Sequence, residues 1–377
     1  MGMVAPGYLR PQQNAALTAD EDAAIAAVCP GLRQTVVAGD RDDHVLWGPH
    51  VAMMTGFATD PDLRHAGASG GALSAILVHL LASGTVDAVI QIAADADLPI
   101  GNATVISTDT ASIAASAGSR YVASSPLDGL NKLLAEHKAT GRRFAVVGKP
   151  CDAVALRALH ETDPRYVAAF PIIVSFFCAG VPSLTGVEKI LTELGTDLDS
   201  TASFRFRGNG WPGRATAVAH NGIVRSMSYH DSWGKILQKY LQHRCKICAD
   251  GSGMAADIVC ADAWESDAAG YPVFAEADGI SLIVARTNLG AKLIAKAQSA
   301  GRLETAPFDI DTLAVIQPGQ RDRRRAIMAR LAALRLMGWP VPNYRGLHVI
   351  AAAGQNPPML NIRNFVGTLR RVLRRRT

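Results

Sequence analysis

The sequence predicts an α/β fold built on a mixed sheet with flanking helices. Three observations predict it. Short apolar runs rich in β-formers, such as Phe144-Ala145-Val146-Val147 and Ser281-Leu282-Ile283-Val284-Ala285, alternate with segments of helical character. Two of the strand-like runs pass into helix-forming segments through a cysteine, at Cys151 and at Cys178. Asn221-Gly222, between Ala215–Ala219 and Gly222–Met227, reads as an antiparallel hairpin, so the strands cannot all be parallel.

The 377 residues suffice for two domains, or for one with additions. The order of segments suggests an N-terminal stretch with short strands (1–60), an α/β region (61–145), a cysteine-bearing domain (146–310) and C-terminal helices with a basic tail (311–377). Hydrophobic residues make up 49% and charged residues 19%, as in a soluble globular protein. The net charge of +5 comes largely from Arg321 to Arg325 and Arg370 to Arg376, which argues against a broad nucleic-acid-binding surface. Six cysteines in so long a chain do not read as a disulfide scaffold. The chain starts without an apolar signal core and has no transmembrane-length apolar run, so a reducing cytoplasm is the expected setting.

In chain order, Asp20–Val28 reads as a helix and Val51–Phe57 as a strand stopped by Asp60-Pro61, suited to a sheet edge. Ala72–Leu81 has the composition of a buried helix. Val86–Ile92 and Ala103–Ser107 read as strands, Asp109–Ala117 and Leu127–His137 as helices. The strand at Phe144–Val147 leads through Gly148-Lys149-Pro150-Cys151 into a helix at Asp152–Leu159. Pro171–Phe177 leads through Cys178-Ala179-Gly180 into a helix at Ser183–Leu194. A strand follows at Phe204–Arg207, and Ala255–Trp264 is another, with Cys260 read as a core residue. Leu289–Ala300 and Arg323–Met337 are helical. The last segment carries Ile362, Phe365, Val366, Leu369, Val372 and Leu373 on one face and ends in arginines, which suits either a capping helix or a dock for a partner or an anionic surface.

Three stretches carry chemistry. Arg244-Cys245-Lys246-Ile247-Cys248-Ala249-Asp250-Gly251 holds the single Cys-x-x-Cys, whose thiolates can face one metal centre from a tight turn. Cys151 and Cys178 are the candidates to complete a four-thiolate set, suited to an iron–sulfur cluster or to structural zinc, while a redox dithiol stays open. Cys29 is left outside the set. Ala66-Gly67-Ala68-Ser69-Gly70-Gly71, before the helix that holds Ser74, lets a ligand approach free amides at a helix N-terminus, or is simply a tight loop. Phe204-Arg205-Phe206-Arg207 alternates an aromatic face with two guanidinium groups before the Gly208-Asn209-Gly210-Trp211-Pro212-Gly213 turn. The pair suits a diphosphate or a solvated strand face.

Together, Ser69 to Leu77, Val147 to Asp152, Phe177 to Ser183, Phe204 to Gly208 and Cys245 to Trp264 resemble, in order, the coenzyme F420 hydrogenase/dehydrogenase beta-subunit family. The Arg207-to-Gly213 loop is similar to its hydroxymethyl-chlorophyll reductase-like branch. The resemblance implies an iron–sulfur flavoprotein oxidoreductase that passes electrons between a one-electron, ferredoxin-like carrier and a two-electron acceptor. It implies a [4Fe-4S] cluster on Cys151, Cys178, Cys245 and Cys248, and FAD contacted by Ser69, Gly70, Gly71, Ser74, Lys149, Arg205, Arg207 and Asn209. Lys149, beside Cys151, would raise the cluster potential by its charge. Hydrogenase or dehydrogenase subunits are implied partners, and self-association stays open. The separate ferredoxin-like cysteine cluster of some relatives is absent from this sequence. A zinc-stapled nucleotide-binding α/β protein without redox activity is the competing reading, and a subunit that only docks on a hydrogenase is a third.

Overall fold

The structure is a computed structural model, and it describes residues 1–263, 273 and 275–373. Trp264 and the arginines at 374–376 lie outside the described residues. Eleven strands position the site. In chain order they are β1 Ala52–Ala58, β2 Ala88–Ala94, β3 Asn102–Ser107, β4 Phe144–Gly148, β5 Ile172–Phe176, β6 Thr201–Arg205, β7 Arg214–Ala219, β8 Val224–Ser228, β9 Ile258–Asp262, β10 Ser281–Ala285 and β11 Leu303–Pro307. The helices that matter are α1 Ala72–Ala82, α2 Pro150–Thr162, α3 Leu184–Glu193, α4 Asn288–Ser299, α5 Pro318–Leu336 and α6 Pro358–Leu373.

Eight strands form one mixed sheet in the order β11-β1-β10-β9-β5-β4-β2-β3. Its centre, β9-β5-β4-β2, is parallel, and both margins are antiparallel. Strand β1 is not the sheet edge its sequence suggested. It pairs with β10 on one side and β11 on the other, and the half-buried Met54 and Met53 pack on the core clusters of opposite sheet faces. The segments 1–60, 61–145 and 146–310 all contribute strands to this sheet. Strands β6, β7 and β8 make a separate antiparallel sheet, with the Asn221-Gly222 turn between its last two strands as predicted.

The pleat sorts the core. Val89, Val147, Val174 and Ile258 face one side, where they meet Ile76, Leu77 and Leu80 of α1 and Leu293 and Ile294 of α4. Ile90, Val146, Ile173 and Val259 face the other, with Phe144, Phe170 and Leu156 of α2. A third cluster joins α3 to Phe204, Phe206 and Ala215 of the small sheet. A fourth packs Ile327, Leu331 and Leu334 of α5 against Val372 of α6, and also buries Ile247 and Met254 around the Cys-x-x-Cys turn. The last helix therefore caps the protein's own body. The N-terminus adds a hairpin, Gly2–Val4 with Tyr8–Arg10, that the sequence did not announce. It docks through the Tyr8 hydroxyl, which donates to the Tyr240 carbonyl at 2.5 Å. Among the described residues no helix is long and apolar enough to cross a membrane.

Candidate functional site

Parallel pairing sets the first two cysteines side by side. Val174 lies opposite Val147 and Ser175 opposite Gly148, so the chain leaves β4 and β5 at the same sheet end. Just beyond those ends stand Cys151, in the first turn of α2, and Cys178. Ligands of open α/β sheets sit at this end of the strands. The other pair comes from a one-turn helix, His243–Lys246, and the turn after it. Asp250 builds that turn: its carboxylate accepts N–H bonds from Ser252, Gly253 and Met254 at 2.9, 2.9 and 3.0 Å. The Cys178 N–H donates to the Gly251 carbonyl at 2.8 Å, which ties the turn to the β5 loop. From α5, Arg323 donates to the Cys178 carbonyl and Arg324 to those of Ala249 and Leu347.

The four thiols share one electrostatic neighbourhood. Cys178 feels Cys245 and Cys151, Cys245 feels Cys151, Cys248 feels Cys245, and Cys151 feels Cys248. Burial pushes the Cys178 thiol up to about 12 and that of Cys151 to about 11, and raises Cys245 and Cys248 as well. Bare, these groups are therefore protonated thiols at neutral pH, and a bound metal centre would draw out the thiolates. Among the described residues no three His, Cys, Asp or Glu side chains are placed to grip one metal ion. The surroundings do offer hydrogen-bond donors to the sulfurs. The backbone N–H of Gly180 points to the Cys178 sulfur at 3.4 Å, and that of Val181 to the Cys245 sulfur at 3.3 Å. Gly180 has φ +116°, and a Cβ there would stand 3.1 Å from that of Cys245. The Arg244 guanidinium lies among Cys151, Cys248 and Cys245, and its buried Nη2 has no hydrogen-bond partner among the described residues. Such a donor suits a buried anionic cluster. Cys29 backs onto Arg244 across Gly31, where a Cβ would stand 3.4 Å from the Cys29 sulfur and 3.5 Å from Arg244 Nε.

A cavity of about 290 Å³ opens beside the cysteines. Ser69, Gly71, Ser74, Lys149, Cys178 and Arg207 line it, and so does Cys260 of β9. Gly71 sits at φ +68° as the N-cap of α1, and no side chain caps that terminus, so the first-turn amides face the cavity wall. Lys149 Nζ bonds Asp152 at 2.7 Å and the Ser124 hydroxyl and carbonyl at 2.8 and 3.1 Å. Burial opposes its charge, and Asp152 with Cys151 outweighs burial, so its pKa is raised.

Gly70, Arg205 and Asn209 stand off the cavity lining. The Gly70 carbonyl accepts from the Ala58 N–H at 2.8 Å, and Asn209 occupies a left-handed turn position, φ 57°. Arg205 donates to the Ala117 carbonyl at 3.3 Å. Arg207 is buried in a bidentate pair with Asp262, so the two arginines do not make a common clamp on the cavity. An internal carboxylate within reach of Arg207 takes the place that a ligand diphosphate was expected to fill.

Much of the cavity wall was missed in the sequence. Tyr121 packs on Trp233 at 4.9 Å and faces Tyr229 at 6.4 Å, making an aromatic wall with Phe206. Tyr229 and Trp233 are four residues apart in and beside a π-helical turn, His230–Ile236, and that spacing was their only local signal. Arg244 and Asp262 adjoin residues that were noted, but charge next to a cysteine or at a strand end is too common to single out.

Fold and site define an α/β protein whose cavity and four neighbouring cysteines, Cys245 buried and the others half-buried, share the carboxyl end of a parallel sheet centre. Two family models match the chain: the coenzyme F420 hydrogenase/dehydrogenase beta subunit N-terminal model over residues 53–131, and the C-terminal model over residues 141–311. The chain belongs to the coenzyme F420 hydrogenase/dehydrogenase beta-subunit family. Its relatives include the coenzyme F420 hydrogenase subunit beta of Methanothermobacter thermautotrophicus, 22% identical over 78% of this chain and 99% of the relative. The subunit of the same name from Methanosarcina barkeri is 24% identical over 70% of this chain and 84% of its own length. A chain in a structure of the F420-reducing [NiFe] hydrogenase complex from Methanosarcina barkeri, determined for xenon derivatisation, shares the fold. The TM-score is 0.60 at 21% identity, covering 80% of this chain and 99% of that one.

Proposed function

We propose that this protein is an iron–sulfur flavoprotein oxidoreductase, or the electron-transfer subunit of one. In this reading it carries electrons between a one-electron, ferredoxin-like partner and a two-electron acceptor. Cys151, Cys178, Cys245 and Cys248 would hold a [4Fe-4S] cluster, and the cavity would hold FAD. One observation carries the reading: Cys178 belongs both to the ring of thiols and to the cavity wall, so the two groups would be neighbours. A flavin exchanges electrons singly or in pairs and a cluster singly, which supplies the conversion. The chain itself supplies dryness, position and charge. Arg244 and Lys149 place positive charge beside the thiols, and the α1 amides with Ser69 and Ser74 offer donors to phosphate. Tyr121, Tyr229 and Trp233 offer faces on which an isoalloxazine ring can stack.

The named relatives are hydrogenase beta subunits, so hydrogenase or dehydrogenase subunits belong to the proposal as partners. Placement near the hydroxymethyl-chlorophyll reductase-like branch rests on the Arg207-to-Gly213 loop alone. The test is the visible spectrum and the iron, sulfide and flavin content of protein purified without oxygen. Broad brown absorption with flavin bands is expected. A colourless protein with one zinc per chain would replace this reading with the zinc-stapled one.

A further inference from the structure

The outer face of α6 has no role in the proposed electron-transfer site and lies beyond the residues that the family models match. The helix turns Thr368 and Val372 inward onto α5. Its outer side exposes Met359, Ile362, Val366 and Leu373, at 69, 55, 37 and 52%. These four recur at intervals of three, four and seven residues, so they form one apolar stripe along the helix. Arg363 and Arg370 run beside the stripe. With Arg371 and with Arg330 of α5 they line an open groove of about 490 Å³. Burial, with Arg371 and Arg323 nearby, lowers the pKa of Arg330 to about 10, so it stays charged at neutral pH.

Charge decides what covers this face. From Arg323 to the end the sequence has twelve arginines (323, 324, 325, 330, 335, 345, 363, 370, 371, 374, 375 and 376) and no Asp or Glu. Of these, Arg330, Arg363, Arg370 and Arg371 line the groove, so a second copy packed on the same face would set arginine against arginine across the stripe. The occupant must bring negative charge and an apolar phase together. A basic amphipathic helix with exposed aliphatic side chains beside arginines has the form that lies in the headgroup plane of an anionic bilayer. We propose that α6 docks the protein peripherally on a membrane rich in anionic phospholipid, with Met359, Ile362, Val366 and Leu373 entering the acyl boundary and the arginine groove receiving headgroup phosphates. The Arg330 guanidinium that lines this groove also donates to the Lys246 carbonyl at 2.8 Å, so the docked face would lie behind the Cys-x-x-Cys turn.

Flotation of the full-length protein with vesicles tests this. Vesicles of phosphatidylcholine alone are compared with vesicles that also contain phosphatidylglycerol, at about 0.1 M salt, where exposed charges more than about 10 Å apart are screened. The protein is expected to float with the second and stay behind with the first. Arg363→Glu with Arg370→Glu should weaken binding more than about tenfold, since each basic residue near the surface contributes about fivefold. Ile362→Asp with Val366→Asp should abolish flotation while the melting curve stays that of a folded protein. Binding unchanged in the Ile362/Val366 variant would mean simple charge adsorption and would overturn the docking. So would displacement from the vesicles by millimolar inorganic phosphate, which would mark a free-anion site. Absence of flotation on either vesicle, or a dimer that Ile362→Asp dissociates, would also overturn it.

Discussion

The guanidinium of Arg207 meets the carboxylate of Asp262 edge to edge, Nη1 2.8 Å from Oδ2 and Nη2 2.7 Å from Oδ1. The pair joins the loop after β6 to the end of β9, and so ties the small sheet to the large one. Arg207 is further held by its Nε, which donates to the Pro212 carbonyl at 2.6 Å, and by the face of Tyr229 at 4.7 Å. Burial works against its charge, while Asp262, Tyr121 and Tyr229 hold its pKa above the usual arginine range.

Asp262→Asn should therefore be costly. It takes away the charge that meets the Arg207 guanidinium edge to edge, and breaking such a buried pair costs about 3 kcal/mol or more. The midpoint of urea unfolding should fall by the matching amount. Arg205→Ala should shift it far less, since Arg205 is half-exposed and, among the described residues, donates only to the Ala117 carbonyl. Equal losses in the two variants would show that the Arg207–Asp262 pair is not the joint between the sheets.

Gly71→Ala probes the loop that caps α1. The residue sits at φ +68°, and a Cβ there would lie 2.5 Å from the Leu63 carbonyl oxygen. Left-handed strain alone costs about 1–2 kcal/mol, and the contact adds to it. The loop must shift away from α1, so the variant should lose more of the proposed flavin on gel filtration than Ser74→Ala, which removes one hydroxyl donor and leaves the loop in place. Full flavin retention in Gly71→Ala would place the cofactor elsewhere.

The main sheet was legible because its strands are short apolar runs between strong turn signals, and the two cysteine turns because each follows such a run directly. That Cys151 and Cys178 are neighbours could be inferred from the repeated strand–cysteine–helix pattern, and the parallel pairing of β4 and β5 sets them side by side. What the sequence hid was non-local. Strand β1 looked like an edge because nothing near it announces β11, which follows some 245 residues later in the chain. The Arg205/Arg207 alternation was visible, but the carboxylate that takes Arg207 comes from β9, 55 residues on. The aromatic wall of Tyr121, Tyr229 and Trp233 is assembled from segments with no shared periodicity.

His160, on α2, should govern part of the acid stability. Burial, with Arg157 beside it, lowers its pKa to about 4, and its Nε2 has no hydrogen-bond partner among the described residues. The folded protein therefore holds the neutral ring, while the unfolded chain takes up a proton near pH 6.5. The unfolded state binds more protons between these values, so stability is full above about 6.5 and falls as pH drops toward about 4. For a half-buried group the loss is about 1–2 kcal/mol after solvent screening. His160→Gln should flatten this limb of the melting temperature against pH. An unchanged slope would assign the acid sensitivity to other groups.

Cys248→Ser tests how the two proposed cofactors depend on each other. A hydroxyl is a poor substitute for thiolate on iron, so the variant should lose cluster iron and sulfide. Cys248 is absent from the cavity lining, whereas Cys178 is part of it. Flavin should therefore survive in Cys248→Ser and fall more in Cys178→Ser. The surviving flavin should still be reduced by a two-electron donor, because the cavity wall is intact. Its reduction by dithionite-reduced ferredoxin should slow by at least about tenfold, since the sequence offers no second cysteine set as a one-electron port. Stopped-flow flavin bleaching in wild type and variant reads this directly. Equal rates would mean that electrons enter at the flavin, and the four cysteines would then serve the fold rather than the transfer.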